Sequence, residues 1–179
     1  MAKTDRKVID KVFVLLGTVA IGVLVIIGSL SFYGYKFATD QVQSELKAQK
    51  IFFPAKGSPN FSPEEYPDLQ KYAGQMVDDG PTAKAYANGY IGRHLEKVAG
   101  GKTYSEVSAE AMKDPANTTL QVQKQTLFQG ETLRGILLGT GYAYWTFGMI
   151  ALYVSLASFA GAGLMLALVL LGLRHINKK

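Results

Sequence analysis

The sequence VFVLLGTVAIGVLVIIGSLSFYGY occupies residues 12–35 and carries no charged side chain over 24 residues. A helix rises about 1.5 Å per residue, so a run of this length can cross the roughly 30 Å hydrocarbon layer of a bilayer. It is longer than the apolar region of a cleaved signal peptide, and it lacks an A-x-A-like cleavage site. We therefore predict a retained transmembrane helix at 12–35, with Phe32, Tyr33 and Tyr35 at the interface.

A second uncharged run covers residues 135–173 and has 39 residues, more than one crossing needs. Two short crossings would put the basic tail, residues 174–179, on the opposite side from the first tail. We therefore predict one long helix, with an interfacial extension at 135–148 and a transmembrane part at 149–173. The aromatic side chains typical of a membrane interface stand before that part, at Tyr142, Tyr144, Trp145 and Phe147.

The charges are sorted along the chain, whose net charge is +5. Residues 1–11 sum to +2 and residues 174–179 to +3, whereas residues 36–134 hold twelve basic and twelve acidic side chains. Because positive charge accumulates on cytoplasmic flanks, we expect both termini in the cytoplasm and the middle outside the cytoplasmic membrane. The same distribution argues against a nucleic-acid partner. Cysteine is absent, which excludes disulfides, thiolate zinc and iron–sulfur sites.

The middle region carries helix signals with clear starts and ends. Asp79, Gly80 and Pro81 mark one start, and Thr103 with Glu106 forms a capping box at another. The predicted order is a stalk at 36–50, a proline-rich loop at 51–66, and helices at about 67–77, 81–99, 104–113 and 118–134. No alternating run long enough for a sheet appears. The predicted class is an all-α membrane protein with two transmembrane helices, outward helical extensions and a small, mostly helical extracytoplasmic domain.

Side chains that could carry chemistry are few. Neither apolar run contains Asp, Glu, Lys, Arg or His, so we expect no ion relay within the bilayer. His94 is the one histidine of the middle region, and a single imidazole lacks the partners of a metal site or a triad. We expect His94 to be packed or to cap a helix. Gly100 to Thr103 resembles part of a phosphate loop, but Glu96 stands where that loop needs glycine. We expect no catalytic residue, cofactor or metal.

The residues expected to make packing or partner contacts are aromatic or small, apart from the histidine. They are Phe52, Phe53, Phe61, Tyr86, Tyr90, His94, Tyr104, Gly135, Gly139, Ala157 and Gly161. The last four form two pairs at four-residue spacing, which lets helices approach closely in lipid. The spacing leaves open whether the partner is the first helix, another copy or a different protein.

Residues 79–107, DGPTAKAYANGYIGRHLEKVAGGKTYSEV, follow VQSELKAQKI at 42–51 and precede a glycine-rich final run. This order resembles a family of small two-span bacterial membrane proteins, mostly from high-GC Gram-positive lineages. Its members share a stalk, a loop, a GP-x-A-x-A helix with a late histidine, and G-x-TY-x-E. The family often carries the label aromatic ring-opening dioxygenase. An iron site of that kind needs two histidines and a carboxylate, so the resemblance implies the fold and no activity.

Three functions are compatible with these features. The leading hypothesis is a non-enzymatic accessory or structural subunit, which lies in the bilayer and docks onto a larger cell-envelope complex. The second is a homo-oligomeric channel or mechanosensor, by analogy of layout, with Ser29, Ser31, Ser155 and Ser158 as polar positions in the spans. The third is an outward-facing ligand sensor, with a pocket formed by Tyr86, Tyr90, His94 and Tyr104.

Overall fold

The uncharged run at 12–35 lies inside one continuous helix, α1 (Lys3–Gln49). The structure is a computed structural model that describes the backbone of residues 3–177 and the side chains of residues 7–177. The predicted basic tail extends to Lys178 and Lys179, which lie outside the described residues. The other helices are α2 (Gly80–Lys84), α3 (Arg93–Ala99), α4 (Tyr104–Lys113), α5 (Thr118–Ile136) and α6 (Tyr144–Asn177).

Two segments between these helices are π-helical, π1 (Ala85–Gly92) and π2 (Leu137–Ala143). Because π1 joins α2 to α3, the helix predicted at 81–99 is observed as one unbroken element. In the same way, π2 joins α5 to α6. The described residues contain no strand and one isolated antiparallel bridge, between Phe52 and Met76. The predicted all-helical class is therefore confirmed.

Two helical stretches are long and apolar enough to cross a membrane, Lys7–Gln49 with 43 residues and Thr118–Asn177 with 60. Only 11% and 22% of their most apolar windows are buried. The core helix of a water-soluble protein would hide most of its apolar surface, so this exposure indicates a membrane location. The predicted stalk is also helical, since α1 ends at Gln49.

The chain divides into two compact units. The two-helix unit comprises the residues up to Phe37 and from Phe147 onward, and the central unit comprises Ala38–Thr146. In the two-helix unit, the less exposed positions of α6 recur at alternating steps of three and four, as in left-handed helix pairs. Between residues 155 and 172 they are Ser155, Ser158, Ala162, Met165, Val169 and Gly172, with Gly161 half-buried beside Ala162.

Glycines allow the two helices of this unit to approach closely. A Cβ atom on Gly17 would lie 2.6 Å from the Val169 side chain, and one on Gly28 would lie 3.0 Å from Phe159. The Ser155 hydroxyl donates a 2.8 Å hydrogen bond to the Gly28 carbonyl. Small residues and a hydrogen bond of this kind hold membrane helices together where lipid is as apolar as the side chains.

The central unit has a conventional hydrophobic core. Its members come from the end of α1, the 51–77 segment, α2 to α5 and both π segments. The buried residues are Val42, Leu46, Phe53, Phe61, Tyr66, Leu69, Val77, Ala83, Ala87, Ile91, Leu95, Ala99, Val107, Leu127 and Leu137.

The predicted helix at 67–77 is wrong. The structure has a single 3₁₀ turn at Gln70–Tyr72 there. Gly74 adopts a positive φ of 72°, which ends any helix, and Pro67 lacks the backbone N–H that a helix interior needs. The backbone instead pairs with the loop start, since Val77 N–H donates to the Ile51 carbonyl at 2.9 Å. This pairing closes the 51–77 segment on itself.

The helix starts follow the punctuation in the sequence. The Asp79 carboxylate accepts a 2.8 Å hydrogen bond from the Thr82 backbone N–H and so caps α2. Thr103 and Glu106 form the reciprocal capping box of α4, whose ends match the predicted 104–113. Gly100, with a φ of 60°, ends α3 in the left-handed conformation.

Candidate functional site

Aromatic rings tie the 51–77 segment to the helix that follows it. Phe53 lies 5.1 Å from Tyr86, and Phe61 lies 5.8 Å from Tyr90, between ring centroids. Tyr66 and Tyr72 complete the cluster, and burial raises the pKa of the Tyr66 hydroxyl. Four of the predicted contact residues thus meet in one cluster. The rings fill the space between them, so this cluster is packed core.

The other predicted aromatic and histidine positions lie apart from that cluster. Phe52 is 49% exposed, and Tyr104 is 38% exposed and contacts Phe128 at 5.8 Å between ring centroids. His94 is exposed, so the prediction that it is packed is wrong. The reason is register, since α3 buries Leu95 and Ala99 and turns the position before Leu95 outward. The four side chains of the hypothetical sensor pocket do not share a pocket.

The predicted small-residue pairs are mostly exposed. A Cβ atom on Gly135 or Gly139 would meet nothing within 4 Å. Ala157 is exposed, and Gly161 is half-buried, with Leu24 of α1 3.5 Å from a Cβ placed on it. Of these four, only Gly161 lies against the other helix of its unit. On α6, the positions that face the other helix follow mainly the alternating steps of three and four residues described above, and not the predicted four-residue pairs.

Gly135 and Gly139 belong to an exposed, uncharged surface of the central unit, which we call the α5–π2 face. Its residues are Phe128, Thr132, Gly135, Ile136, Gly139 and Ala143. Phe128 is 54% and Ile136 46% exposed. The Thr132 hydroxyl donates to the Phe128 carbonyl of its own helix at 2.7 Å. The face therefore has apolar contact area and no unsatisfied side-chain polar group.

A groove of about 430 Å³ adjoins this face. The end of α1 contributes Val42 and Leu46, and π2 contributes Gly139 and Gly141. The groove is apolar over most of its lining, and its one charged side chain, Glu45, accepts from Gln41 at 3.0 Å. Gly139 leaves room at this wall for another helix or chain to approach, whereas Gly141 is packed against Ala83.

A polar pocket of about 510 Å³ lies between π1, the 101–103 loop and α5. Three of its charged side chains, Arg134, Glu131 and Lys102, are paired. Arg134 donates to both oxygens of Glu131, at 2.8 and 2.9 Å, and to the Asn88 side-chain oxygen at 3.2 Å. Lys102 contacts Glu110 at 2.7 Å. The Glu96 carboxylate also lines the pocket, and the buried Arg134 Nε has no hydrogen-bond partner among the described residues. With Glu96 and Glu131 in its lining, the pocket has no surplus of positive charge to attract an anion.

A shallow basin of about 550 Å³, which we call the donor basin, lies between the 3₁₀ turn, α2, π1 and π2. It is lined by Asp68, Leu69, Lys71, Tyr72, Pro81, Lys84, Ala85, Asn88, Gly89, Arg93 and Tyr142. Three cations face one carboxylate. Arg93 donates to the two oxygens of Asp68 at 2.8 and 3.0 Å, which lowers the pKa of the Asp68 carboxyl.

Lys84 is held in the donor basin by a residue 58 positions away. Its ammonium group donates a 3.2 Å hydrogen bond to the Tyr142 hydroxyl and lies 4.5 Å from the centroid of that ring. This contact lowers the pKa of the Tyr142 hydroxyl. Lys71 lies 4.9 Å from the Tyr72 ring centroid. No carboxylate lies within salt-bridge distance of Lys71 or Lys84 among the described side chains.

Metal-binding groups are not gathered anywhere in residues 7–177. No set of three or more histidine, aspartate or glutamate side chains lies close enough to share an ion there. None of the protein-family models, curated proteins or solved structures compared with this chain matches it. Sequence reasoning missed the donor basin, because no local pattern joins Lys84 to Tyr142. The one signal was Tyr142 itself, which stands in the aromatic belt before the predicted transmembrane part at 149–173.

Proposed function

We propose that this chain is a non-enzymatic two-pass membrane protein, which acts as an accessory or structural subunit of a larger cell-envelope complex. The observation that supports this function best is the α5–π2 face with its adjoining groove. The face is exposed and uncharged, the groove is mostly apolar with one charged side chain, Glu45, and both contain glycine. A surface that is apolar and internally satisfied in hydrogen bonding is suited to another protein, since exposed patches of this kind mark interaction sites.

The proposed partner at this face is an apolar helix of another membrane protein. Gly135 and Gly139 are four residues apart and leave space above the backbone, which suits close helix packing. Charge is absent from the face itself, so an acidic or basic peptide would find no complementary group there. Phe128 and Ile136 supply the larger side chains that would interdigitate with the partner.

The proposed location is the cytoplasmic membrane, with both termini in the cytoplasm and the central unit outside. Support comes from the two long apolar helices and from the basic residues beside them. The middle region has no excess of positive charge, so the positive-inside rule does not oppose its transfer across the membrane.

The absence of cysteine allows a clean cross-linking test of the docking face. We would introduce Ile136→Cys on the face and, as control, Lys56→Cys in the exposed loop, and attach a photo-cross-linker to each in native membranes. We expect the first to form one defined heteromeric adduct and the second none. Mass spectrometry of the adduct identifies the partner. Equal adducts from both positions, or none from either, would contradict the docking proposal.

A second variant tests the groove. Gly139→Leu places a large side chain where no atom now lies within 4 Å of a Cβ, so the chain itself should fold normally. We expect loss of copurification with the partner in mild detergent while the yield and thermal stability of the chain are unchanged. The channel hypothesis predicts instead an adduct at a multiple of the chain's own mass and conductance in a reconstituted bilayer.

A further inference from the structure

The donor basin differs from the other surfaces in the kind of polar group that it leaves free. Its one carboxylate, Asp68, is already engaged by the Arg93 guanidinium through two hydrogen bonds. The side-chain oxygen of Asn88 accepts from Arg134 at 3.2 Å, which leaves the Asn88 amide N–H groups to donate. Two ammonium groups, Lys71 and Lys84, add donors and positive charge. The free groups of the basin are thus mostly donors.

Lys84 already contacts Tyr142 before any ligand arrives. The Tyr142 hydroxyl accepts from the ammonium group, and the ring face lies beneath it. With its oxygen accepting from Lys84, the Tyr142 hydroxyl has its own proton free to donate. An ordered pair of donors loses less conformational entropy on binding than two freely rotating side chains.

Apolar residues form the rest of the basin. Leu69, Pro81 and Ala85 lie among its lining residues. Donors and an apolar wall together suit a ligand with a compact anionic head and a less polar remainder. Three positive groups against one negative group favour a ligand that carries negative charge and several acceptor oxygens.

We propose that the donor basin binds a phosphoryl group, with Lys71, Lys84, Asn88 and Tyr142 donating to its oxygens. Two sources present this chemistry, the headgroup of an anionic phospholipid and a soluble phosphate. The lipid source rests on the proposed membrane function, whereas the soluble source does not. If the chain binds soluble phosphate and not the lipid headgroup, the phosphoryl site stands while its lipid source, which depends on the membrane function, is rejected.

The test uses the full chain in nanodiscs and in detergent. In nanodiscs, native mass spectrometry measures retention of phosphatidylglycerol against phosphatidylcholine, which carries no net charge. In detergent, the shift of the thermal midpoint is titrated with inorganic phosphate, with chloride at equal ionic strength as control. Retention of the anionic lipid assigns a headgroup site, and a phosphate-specific shift assigns a soluble ligand. If the unmodified chain shows neither lipid retention nor a phosphate-specific shift, the proposal is overturned.

The matched variants remove the same charge in two places. Lys71→Gln with Lys84→Gln removes both ammonium groups from the basin, and Lys56→Gln with Lys113→Gln removes two exposed lysines that lie outside it. We expect the basin pair to bind roughly tenfold or more weakly and the control pair to bind within about twofold of the unmodified chain. Equal loss in both pairs would show general charge attraction and overturn the site.

Tyr142→Phe provides a check that leaves the net charge unchanged. It removes one donor and releases Lys84 from its hydrogen bond while the ring stays in place. We expect about a three- to tenfold loss of binding with an unchanged thermal midpoint in the absence of ligand. Binding as tight as that of the unmodified chain would contradict the assignment of Tyr142 to the site.

Discussion

The two units of this molecule bury opposite kinds of side chain. In the two-helix unit, large apolar residues are the exposed ones, with Phe13 at 70% and Leu164 at 71%, while Ser155 is 1% exposed. In the central unit, Phe61 is completely buried. The hydrophobic effect can stabilise only the second arrangement in water, whereas the first requires an apolar surrounding.

The largest expected effect on the free energy of unfolding comes from truncating a buried side chain in the core of the central unit. Phe61→Ala removes a ring with 0% exposure and should lower the free energy of unfolding by about 3–5 kcal/mol. Phe13→Ala, the same change at an exposed position, should alter it by less than about 0.5 kcal/mol. Thermal unfolding in detergent, followed by resistance to proteolysis, measures both. Equal effects would remove the distinction between the two units.

A smaller loss of stability is expected where the Gly80 backbone contacts the Trp145 ring in the central unit. A Cβ atom on Gly80 would lie 2.4 Å from the Trp145 side chain, so Gly80→Ala should cost about 1–3 kcal/mol. Gly22 of the two-helix unit has nothing within 4 Å of a Cβ, and Gly22→Ala should be neutral or slightly stabilising. The same unfolding measurement compares the two. A harmless Gly80→Ala would show that Trp145 is not held in place.

In the two-helix unit, one hydrogen bond should matter modestly. Ser155→Ala removes the donor to the Gly28 carbonyl and should cost about 0.6 kcal/mol, because that carbonyl also belongs to a helix. Ser29→Ala is the matched control, since the Ser29 hydroxyl bonds only within its own helix, to the Val25 carbonyl. Denaturation by mixed detergents reports the difference. A cost above about 2 kcal/mol would mean that this contact, not lipid-facing surface, dominates the unit.

The smallest expected effect is a pH dependence in the central unit. Arg93 lowers the pKa of the Asp68 carboxyl, so the ionised form favours the folded state above the ordinary aspartate pKa. This contribution is lost as the pH falls through the lowered value. Both side chains are more than one-third exposed, so Asp68→Asn should cost only about 0.2–1 kcal/mol at neutral pH.

The measurement is the difference in thermal midpoint between the unmodified chain and Asp68→Asn across pH. We expect this difference to shrink on acidification and to vanish once the carboxyl is protonated in both states. A difference that grows towards low pH would have the wrong sign for the Arg93 contact.

Local chemistry explains which parts of the fold could be predicted. The capping box of Thr103 and Glu106 and the Asp79 cap act within one turn, so the ends of α4 and the start of α2 follow from the sequence. The segment at 67–77 does not, because its backbone bonds depend on the distant Ile51. Long-range contacts leave no periodic trace. For that reason the prediction relied on the four-residue spacing of glycine and alanine and did not find the contact of Ser155 with Gly28.

The candidate sites show the same limit. Phe53 and Phe61 follow from the expectation that a loop rich in aromatic residues packs them, although Phe52 of the same loop is 49% exposed. His94 could not be placed, because a shift of one position on α3 separates buried from exposed. The donor basin depends on Lys84 and Tyr142, which only the folded chain brings together.

The central claim is that the apolar surface of the two-helix unit faces lipid and that the central unit lies outside the cell membrane. Since the chain has no cysteine, Lys56→Cys and Asn177→Cys give two single reporters for a membrane-impermeant maleimide. In intact spheroplasts, we expect the position-56 variant to be labelled and the position-177 variant to be labelled only after permeabilisation. Labelling of position 177 from outside, or of position 56 only from within, would contradict the account.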